Sequence, residues 1–330
     1  MINIFGYQIE TTLFWTIALG VPAVLIALFA WILPRRARLR KEDEVRIQNI
    51  EKETKEANEN IKLIEKHFGI PIYVDGLTSA PPSVFDPFAK GLKLMTEYKW
   101  DEAIDEFKKS MKDAKTSQLV ALYNLMGLCY DTPGNLDLAL KSYNESLNLA
   151  REFNDKVGEA KALGNLGLIY YTRGDLDNAL RYHEDALKID REIGNKEGES
   201  QDLGNIGLIY ETRGDLDKTL EYQEEALKID REISNKEGEA QDLENLGSMY
   251  QTRGDLDKAL KYYEDALKIE KEISDSGDRA TTLSKLGSIY ETRGDLDKAL
   301  EYQEEALKID RVIGNKEEEA QALGNLGMIY

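Results

Sequence analysis

The hexapeptide Thr-Arg-Gly-Asp-Leu-Asp occupies residues 172–177, 212–217, 252–257 and 292–297, so its copies are always 40 residues apart. A fixed period of this length is typical of stacked supersecondary units, each of which buries its apolar face on its neighbours. The chain therefore predicts an array of repeats. We expect such an array to work through an extended surface instead of a single pocket.

Each repeat has the pattern of two helices joined by a tight turn. Gly174 suits the left-handed conformation that ends a helix, and Asp175 is a good N-cap for the helix that follows. From Leu176 to Ile193 the apolar residues recur at three- and four-residue spacings, which indicates one buried stripe. The small residue Gly167 in the first helix allows a close approach of the second.

Weaker copies of the pattern lie before the near-identical ones. One is centred on Gly127, 40 residues before Gly167, and another on Gly91, 36 residues earlier. At the other end, residues 319–330 copy a first helix and stop at Tyr330. The sequence thus predicts six repeats and the first helix of a seventh. Either the chain is a fragment of a longer protein, which we favour, or the last helix pairs with another molecule.

The repeated residues resemble the tetratricopeptide repeat, a helix-turn-helix family with small residues and a tyrosine at fixed offsets. The period of 40 exceeds the usual length of about 34, and it is similar to the extended repeats of the LGN/Pins and kinesin light chain families. This resemblance covers residues 86–330 and implies an all-α, right-handed solenoid. The signature positions are Leu163, Leu166, Gly167, Tyr170, Ala179 and Ala186.

The resemblance also implies a concave groove, lined by the first helices, that holds an extended peptide. Asparagine recurs within it, and an amide that both donates and accepts could hold a peptide backbone. The same row would arise if duplication simply copied the asparagines, or if they bond an adjacent helix, and the sequence leaves both alternatives open. Apolar Leu168 and Leu208 are replaced by Ser248 and Ser288 in later repeats, so specificity should vary along the groove. The implied groove residues are Lys161, Asn165, Leu168, Tyr171, Asn205, Leu208, Glu211, Asn245, Gln251, Lys285, Glu291 and Asn325.

A second strong signal lies near the N-terminus. Residues Leu13 to Leu33 contain no charge and, as a helix, would span about 31 Å, enough for a hydrocarbon core of about 30 Å. A cleaved signal peptide fits poorly, because no Lys or Arg precedes the apolar run. Basic residues from Arg35 to Lys41 follow it. The positive-inside rule therefore predicts a single-pass cell-membrane protein with an external N-terminus and a cytoplasmic array.

The predicted domain order follows these signals along the chain. An N-terminal tail (1–10) precedes the transmembrane helix (11–34), a basic flank with a heptad-patterned helix (35–68), a Pro-rich linker (69–87) and the array (88–330). The heptad seam either joins two chains as a coiled coil or packs within its own chain. Its positions are Ile47, Ile50, Thr54, Ala57, Ile61, Ile64 and Phe68.

Composition narrows the class of partner. The formal net charge is −19, with 62 acidic against 43 Lys and Arg residues. Nucleic acid requires clustered basic residues, so it is excluded as a partner, and a neutral or basic protein or peptide is favoured. The only cysteine, Cys129, takes an apolar position of the repeat and should be a small buried hydrophobe.

Nothing in the sequence indicates catalysis, a cofactor or a bound metal. The two histidines, His67 and His183, are far apart, and no zinc, phosphate-loop or nucleophile-elbow motif is present. The repeated arginines that begin with Arg173 are better suited to pairing with nearby carboxylates than to binding anions. We therefore predict a membrane-anchored protein-interaction scaffold that is not an enzyme. The alternative is a regulatory array, gated by intramolecular contacts or joined to an unseen C-terminal effector domain.

Overall fold

The computed structural model describes residues 2–4, 7–9, 52–65, 74, 77–78, 80–132, 134–273 and 276–329. It divides into two compact units, Met1–Leu63 and Ile64–Tyr330. In the first unit, strands β1 (Ile2–Ile4) and β2 (Tyr7–Ile9) pair antiparallel, with Ile2 opposite Ile9. This hairpin lies in the segment expected to be a tail, outside the array.

The array itself consists only of helices. After α1 (residues 52–65), thirteen helices follow within the described residues, and from α2 to α13 they alternate as the first (A) and second (B) helices of six repeats. They are α2 (Pro82–Thr96), α3 (Trp100–Ser110), α4 (Thr116–Asp131), α5 (Leu136–Glu152), α6 (Lys156–Thr172), α7 (Leu176–Ile193), α8 (Lys196–Thr212), α9 (Leu216–Ile233), α10 (Lys236–Thr252), α11 (Leu256–Ile273), α12 (Ser276–Thr292), α13 (Leu296–Ile313) and α14 (Lys316–Ile329), the last being the A helix of a seventh repeat.

The array begins earlier than the predicted boundary of residue 88. Helix α2 starts at Pro82, inside the segment assigned to the Pro-rich linker. Proline is tolerated in the first turn of a helix, where its missing N–H would have no intrahelical partner. The buried side chains of Phe85 and Phe88 then hold this turn against the rest of the repeat. The prolines of residues 81–87 belong partly to the start of this helix, so the predicted end of the linker at residue 87 was too late.

The turns inside the repeats follow the sequence closely. The glycine of each hexapeptide has a φ between 75° and 78°, a left-handed conformation that residues with a Cβ rarely adopt. The aspartate after it caps the B helix, as Asp175 does by accepting a hydrogen bond from the N–H of Asn178. Both the predicted helix stop and the predicted N-cap are present.

Each A helix approaches its B helix most closely at a glycine. A Cβ added there would lie between 2.3 and 2.8 Å from the side chain sixteen residues later, so any larger residue would collide with it. The side chain at that position varies from repeat to repeat, yet every one is buried. The pairs are Gly91–Phe107, Gly127–Tyr143, Gly167–His183, Gly207–Gln223, Gly247–Tyr263 and Gly287–Gln303.

Apolar clusters join neighbouring repeats from repeat 2 onwards. In one of them, Tyr143 and Leu147 of repeat 2 pack with Leu163, Leu166 and Ile189 of repeat 3. A second cluster continues the pattern between repeats 5 and 6. Stability in such an array comes from each repeat and its contacts with its immediate neighbours. A local change should therefore weaken one contact between repeats without disrupting the others.

Some of the sequence predictions lie partly or wholly outside the described residues. The predicted membrane span is one of them, and no helix among the described residues is long and apolar enough to cross a bilayer. In the heptad seam, Ala57, Ile61 and Ile64 of α1 are buried within the single chain. Ile47, Ile50 and Phe68 are not described. Dimerisation through this seam stays a prediction.

We predict that Gly127→Ala destabilises the array, because the new methyl group would lie 2.3 Å from Cε1 of the buried Tyr143 ring. Overpacking of this kind costs about 1–3 kcal/mol, and urea unfolding followed by circular dichroism would measure it. Gly327→Ala is the matched control, because Gly327 has the same place in α14 with nothing within 4 Å of the added Cβ. There the higher helix propensity of alanine should leave stability unchanged or raise it by up to about 1 kcal/mol. Equal effects at both sites would contradict the close-packing argument.

Candidate functional site

The A helices of successive repeats come together on one side of the array. Helix α4 packs against α6, α6 against α8, and α12 against α14. All twelve groove residues named in the sequence analysis lie on this A-helix surface, and each is partly exposed. We call the surface formed by these twelve residues the groove. Neighbouring repeats meet across it at an offset of 40 or 41 residues.

The asparagine row of the groove makes long hydrogen bonds to adjacent helices. The amides of Asn165, Asn245 and Asn325 donate to side-chain oxygens of neighbouring helices, each over 3.4 Å. The acceptor of Asn165 is Asn124, and the acceptor of Asn245 is the buried Gln223. These bonds correspond to one of the alternatives left open by the sequence. At 3.4 Å they are weak, because N–H···O hydrogen bonds are normally about 2.9–3.0 Å long.

Lys285 interrupts the asparagine row and forms an ion pair instead. Its Nζ lies 2.5 Å from Oε2 of Glu244, which is buried. Glu244 stands where repeats 2, 3, 4 and 6 have Asn124, Gly164, Gly204 and Ser284. Two departures from the repeat therefore compensate each other at an offset of 41 residues. The sequence contained this signal, although the sequence analysis did not use it.

The asparagines form one row of the groove, and Leu168, Leu208, Ser248 and Ser288 form a second. A third row lies near the C-terminal ends of the A helices. It runs through Asp131, Tyr171, Glu211, Gln251 and Glu291. Burial raises the pKa of the carboxyl groups of Asp131 and Glu211 above their ordinary values. The Tyr171 hydroxyl shares a hydrogen bond of 3.0 Å with Oγ1 of Thr212, the residue after Glu211. The tyrosine side chain thus extends from α6 towards the end of α8.

The repeated arginines pair with carboxylates, as the sequence predicted. Arg173 donates to Asp137 and Arg213 to Asp177, both over 2.5 Å, and the next two copies do the same. Each pair joins the turn of one repeat to the first turn of the B helix before it. Because the aspartates are 90–95% exposed, such pairs contribute little energy. They occupy the arginines, so these side chains form no free anion-binding row.

Buried polar pairs join consecutive repeats behind the groove. Nδ1 of His183 lies 2.9 Å from Oδ1 of Asp202 in the next repeat, and both side chains are buried. Between repeats 4 and 5, the carboxyl groups of Asp230 and Asp242 hydrogen-bond to each other. Burial and the neighbouring Asp230 raise the pKa of Asp242 to about 9. The pair therefore holds a proton at neutral pH, which makes the hydrogen bond possible.

We predict that Asp242→Asn stabilises the array increasingly as pH rises. The folded pKa of Asp242 is about 9 against an ordinary 3.8, so between these values the folded protein holds a proton that the unfolded chain releases. Stability supplied by the protonated carboxyl is therefore complete at low pH and is lost as pH rises towards 9. Asparagine keeps a hydrogen-bond donor without titrating, so the variant should gain on the wild type by up to about 1.4 kcal/mol per pH unit.

Urea unfolding of wild type and variant at pH 5, 6.5 and 8 would measure this difference. Asp265→Asn is the control, because Asp265 is an exposed aspartate on the next B helix and its substitution should give a pH-independent difference. A constant difference for Asp242→Asn as well would refute the shared proton.

The described residues offer no arrangement typical of a metal or a reactive thiol. No group of three or more His, Cys, Asp or Glu side chains among them could hold a metal ion. Cys129 is fully buried, and burial raises the pKa of its thiol. It is packed as a small apolar residue, as the sequence predicted.

The comparisons with known proteins agree with this architecture. The family model described as "Tetratricopeptide repeat" matches residues 117–192, 200–272 and 278–330, which together are more than half of the chain. No curated protein sequence shows a significant match.

Solved structures with a similar fold include BtubC (BKLC) from P. vanneervenii, at 23% identity and a TM-score of 0.58, covering 67% of this chain and 92% of that one. A signal transduction ATPase with numerous domains and a tetratricopeptide repeat sensor, from Pyrococcus horikoshii, is similar at 19% identity and a TM-score of 0.62. That match covers 78% of this chain and 43% of the ATPase. Aspartyl phosphate phosphatase F from Bacillus subtilis is similar at 12% identity and a TM-score of 0.56, covering 81% and 73% of the two chains. At these identities the likeness shows the fold alone.

Proposed function

Because this chain belongs to the tetratricopeptide repeat family, we propose that it is a scaffold that binds an extended segment of a partner protein along the groove. The observation that carries the proposal is the twelve-residue surface itself, which runs across five A helices and stays partly exposed throughout. An array of this kind is suited to protein–protein interaction. Its length favours an extended ligand over a small molecule.

The groove offers a peptide two kinds of contact. Leu168 and Leu208 are partly exposed and supply apolar contact in repeats 3 and 4, whereas Ser248 and Ser288 supply hydroxyls in repeats 5 and 6. The long amide contacts of Asn165 and Asn245 can be exchanged for stronger bonds to a peptide backbone, since little energy is lost when a 3.4 Å bond breaks. We therefore expect a ligand whose apolar side chains lie at the repeat 3–4 end.

The alternative function is a regulatory array whose own chain occupies the groove until a signal displaces it. One of the similar structures contains a tetratricopeptide repeat sensor, which supports considering a regulatory function. The two functions differ in one measurement. Deleting residues 42–80, ahead of α2, should leave partner affinity unchanged for a simple scaffold and raise it for a gated one.

The groove proposal predicts that the partner is lost when the asparagine row is removed. A pull-down with the full chain would compare wild type with the triple variant Asn165→Ala, Asn205→Ala, Asn245→Ala. The control is Glu184→Ala, Glu224→Ala, Glu264→Ala, which changes three exposed B-helix residues at the same 40-residue period. We expect the partner to be retained by the control and depleted by the groove variant. Loss of the partner in both variants, or in neither, would indicate that the binding site lies outside the groove.

We also propose that residues 13–33 anchor the array in the cell membrane with the repeats on the cytoplasmic side. The proposal rests on the uncharged run and the basic residues after it. Deleting residues 13–33 should shift the protein from the membrane pellet to the supernatant after alkaline carbonate washing, whereas deleting residues 42–50 should not. If the first deletion leaves the protein in the pellet, this segment is not the anchor.

A further inference from the structure

The third row of the groove contains a carboxylate whose charge is not neutralised by the described residues. Glu211 is partly buried, and burial raises the pKa of its carboxyl group. No cation of the described residues pairs with it. A carboxylate that is desolvated without a partner carries an energetic cost, which a cation brought by a ligand would offset.

The cations that belong to the groove are already engaged elsewhere. Lys285 is held by Glu244 at 2.5 Å, and Nζ of Lys161 donates to Oε1 of Gln201 at 3.5 Å. The nearby turn arginine, Arg213, is paired with Asp177. None of these side chains is left over for Glu211, so no described residue supplies a positive charge that would neutralise it.

Tyr171 adds an aromatic side chain to the same part of the groove, at the C-terminal end of α8. Its hydroxyl reaches Thr212, the residue next to Glu211, and the side chain is partly exposed. No cation of the described part of the chain lies over this ring, although the array uses such contacts elsewhere. Nζ of Lys218, for example, lies 4.5 Å from the centre of the Tyr210 ring. An aromatic face and a carboxylate on one surface suit a guanidinium or ammonium group, which both can attract.

Asp131 and Asn124 extend the same surface by one repeat. Asp131 has the place of Glu211 two A helices earlier, and burial raises its pKa in the same way. The side-chain amide of Asn124 is buried, accepts from Asn165, and has no acceptor for its own Nδ2 among the described residues. This orphaned donor is a second and independent sign that a group is missing from the groove, since buried N–H groups are normally bonded. A peptide carbonyl would supply the acceptor once the Asn124 amide turns out of its buried position towards the groove.

From this arrangement we propose that the groove selects an extended basic peptide, with one Lys or Arg on Tyr171 and Glu211 and a second on Asp131. The inference rests on the proposed function and adds the chemistry of the ligand. Packed helix axes lie about 8–10 Å apart, so positions two A helices apart are separated by about 16–20 Å. An extended chain rises about 3.3 Å per residue. The two cations of the ligand are therefore about five or six residues apart. The ligand also carries an apolar side chain that lies near Leu168.

A selection with a random dodecapeptide library displayed on phage, using the full chain as bait, tests this proposal. Wild type should enrich peptides with two basic residues five or six positions apart. Glu211→Gln should lose this enrichment and weaken a selected peptide about tenfold in fluorescence anisotropy, which corresponds to about 1.4 kcal/mol. The matched control, Glu221→Gln, removes the same charge from an exposed position on the B helix of the same repeat and should change the affinity less than twofold.

Tyr171 variants separate the ring from its hydroxyl. Tyr171→Phe keeps the aromatic face and should bind the selected peptide as wild type does, whereas Tyr171→Leu should weaken it. Higher NaCl should weaken binding to wild type more than to Glu211→Gln, because salt screens partly exposed charges. Circular dichroism would establish that each variant is as helical as wild type.

The outcomes distinguish this inference from the proposed function. Peptides that bind and are lost in the Asn165, Asn205, Asn245 triple variant, but carry no excess of Lys or Arg, would overturn the basic ligand and leave the groove proposal standing. Enrichment that is unchanged in Glu211→Gln would also overturn it. A selection that enriches no peptide above the empty support would count against both.

Discussion

The contact between an A-helix glycine and the side chain sixteen residues later is the constraint on which every repeat depends. With no Cβ at Gly127 or Gly247, the two helices come close enough for the ring of Tyr143 or Tyr263 to fill the space between them. The same glycine also tolerates an imidazole or an amide at that position, as Gly167 does with His183. The backbone approach is thus fixed while the side chain behind it varies. That variation lets the buried contacts behind the groove differ from repeat to repeat.

Electrostatics follows the same division between fixed and variable positions. Near the start of an A helix a buried glutamate such as Glu199 recurs. Burial would raise its pKa, but hydrogen bonds from Lys196 and Arg191 at 2.8 Å outweigh that effect and lower it. Equivalent groups surround Glu159 and Glu239. The buried glutamates at this position of the repeat are therefore neutralised locally. Glu211 and Asp131 lack such partners among the described residues, and both lie in the row whose residue type changes between repeats.

The sequence predicted the architecture well because the evidence for it is local and repeated. Gly174, Asp175 and the apolar stripe from Leu176 to Ile193 specify a turn, a cap and a helix without reference to distant residues, and the structure has all three. The start of α2 at Pro82 was missed because a proline in a first turn and a proline in a linker look alike in one sequence. Only the burial of Phe85 and Phe88 separates the two cases, and that depends on tertiary contacts.

The contacts that the groove residues make could not be predicted from the sequence, for a physical reason. Its positions followed from the family resemblance, but the partners of Asn245 or Lys285 depend on how adjacent helices are aligned, which one repeat does not specify. Once the offset of 41 residues is known, the pairing of Glu244 with Lys285 becomes visible in the sequence as two compensating departures from the period. Glu211 has no compensating charge at the same offset, since Thr252 lies 41 residues later and carries no charge. In an array built by duplication, a compensated departure preserves a joint between repeats. A partly buried carboxylate such as Glu211, which no cation among the described residues neutralises, is where we expect the requirement of a ligand to be recorded.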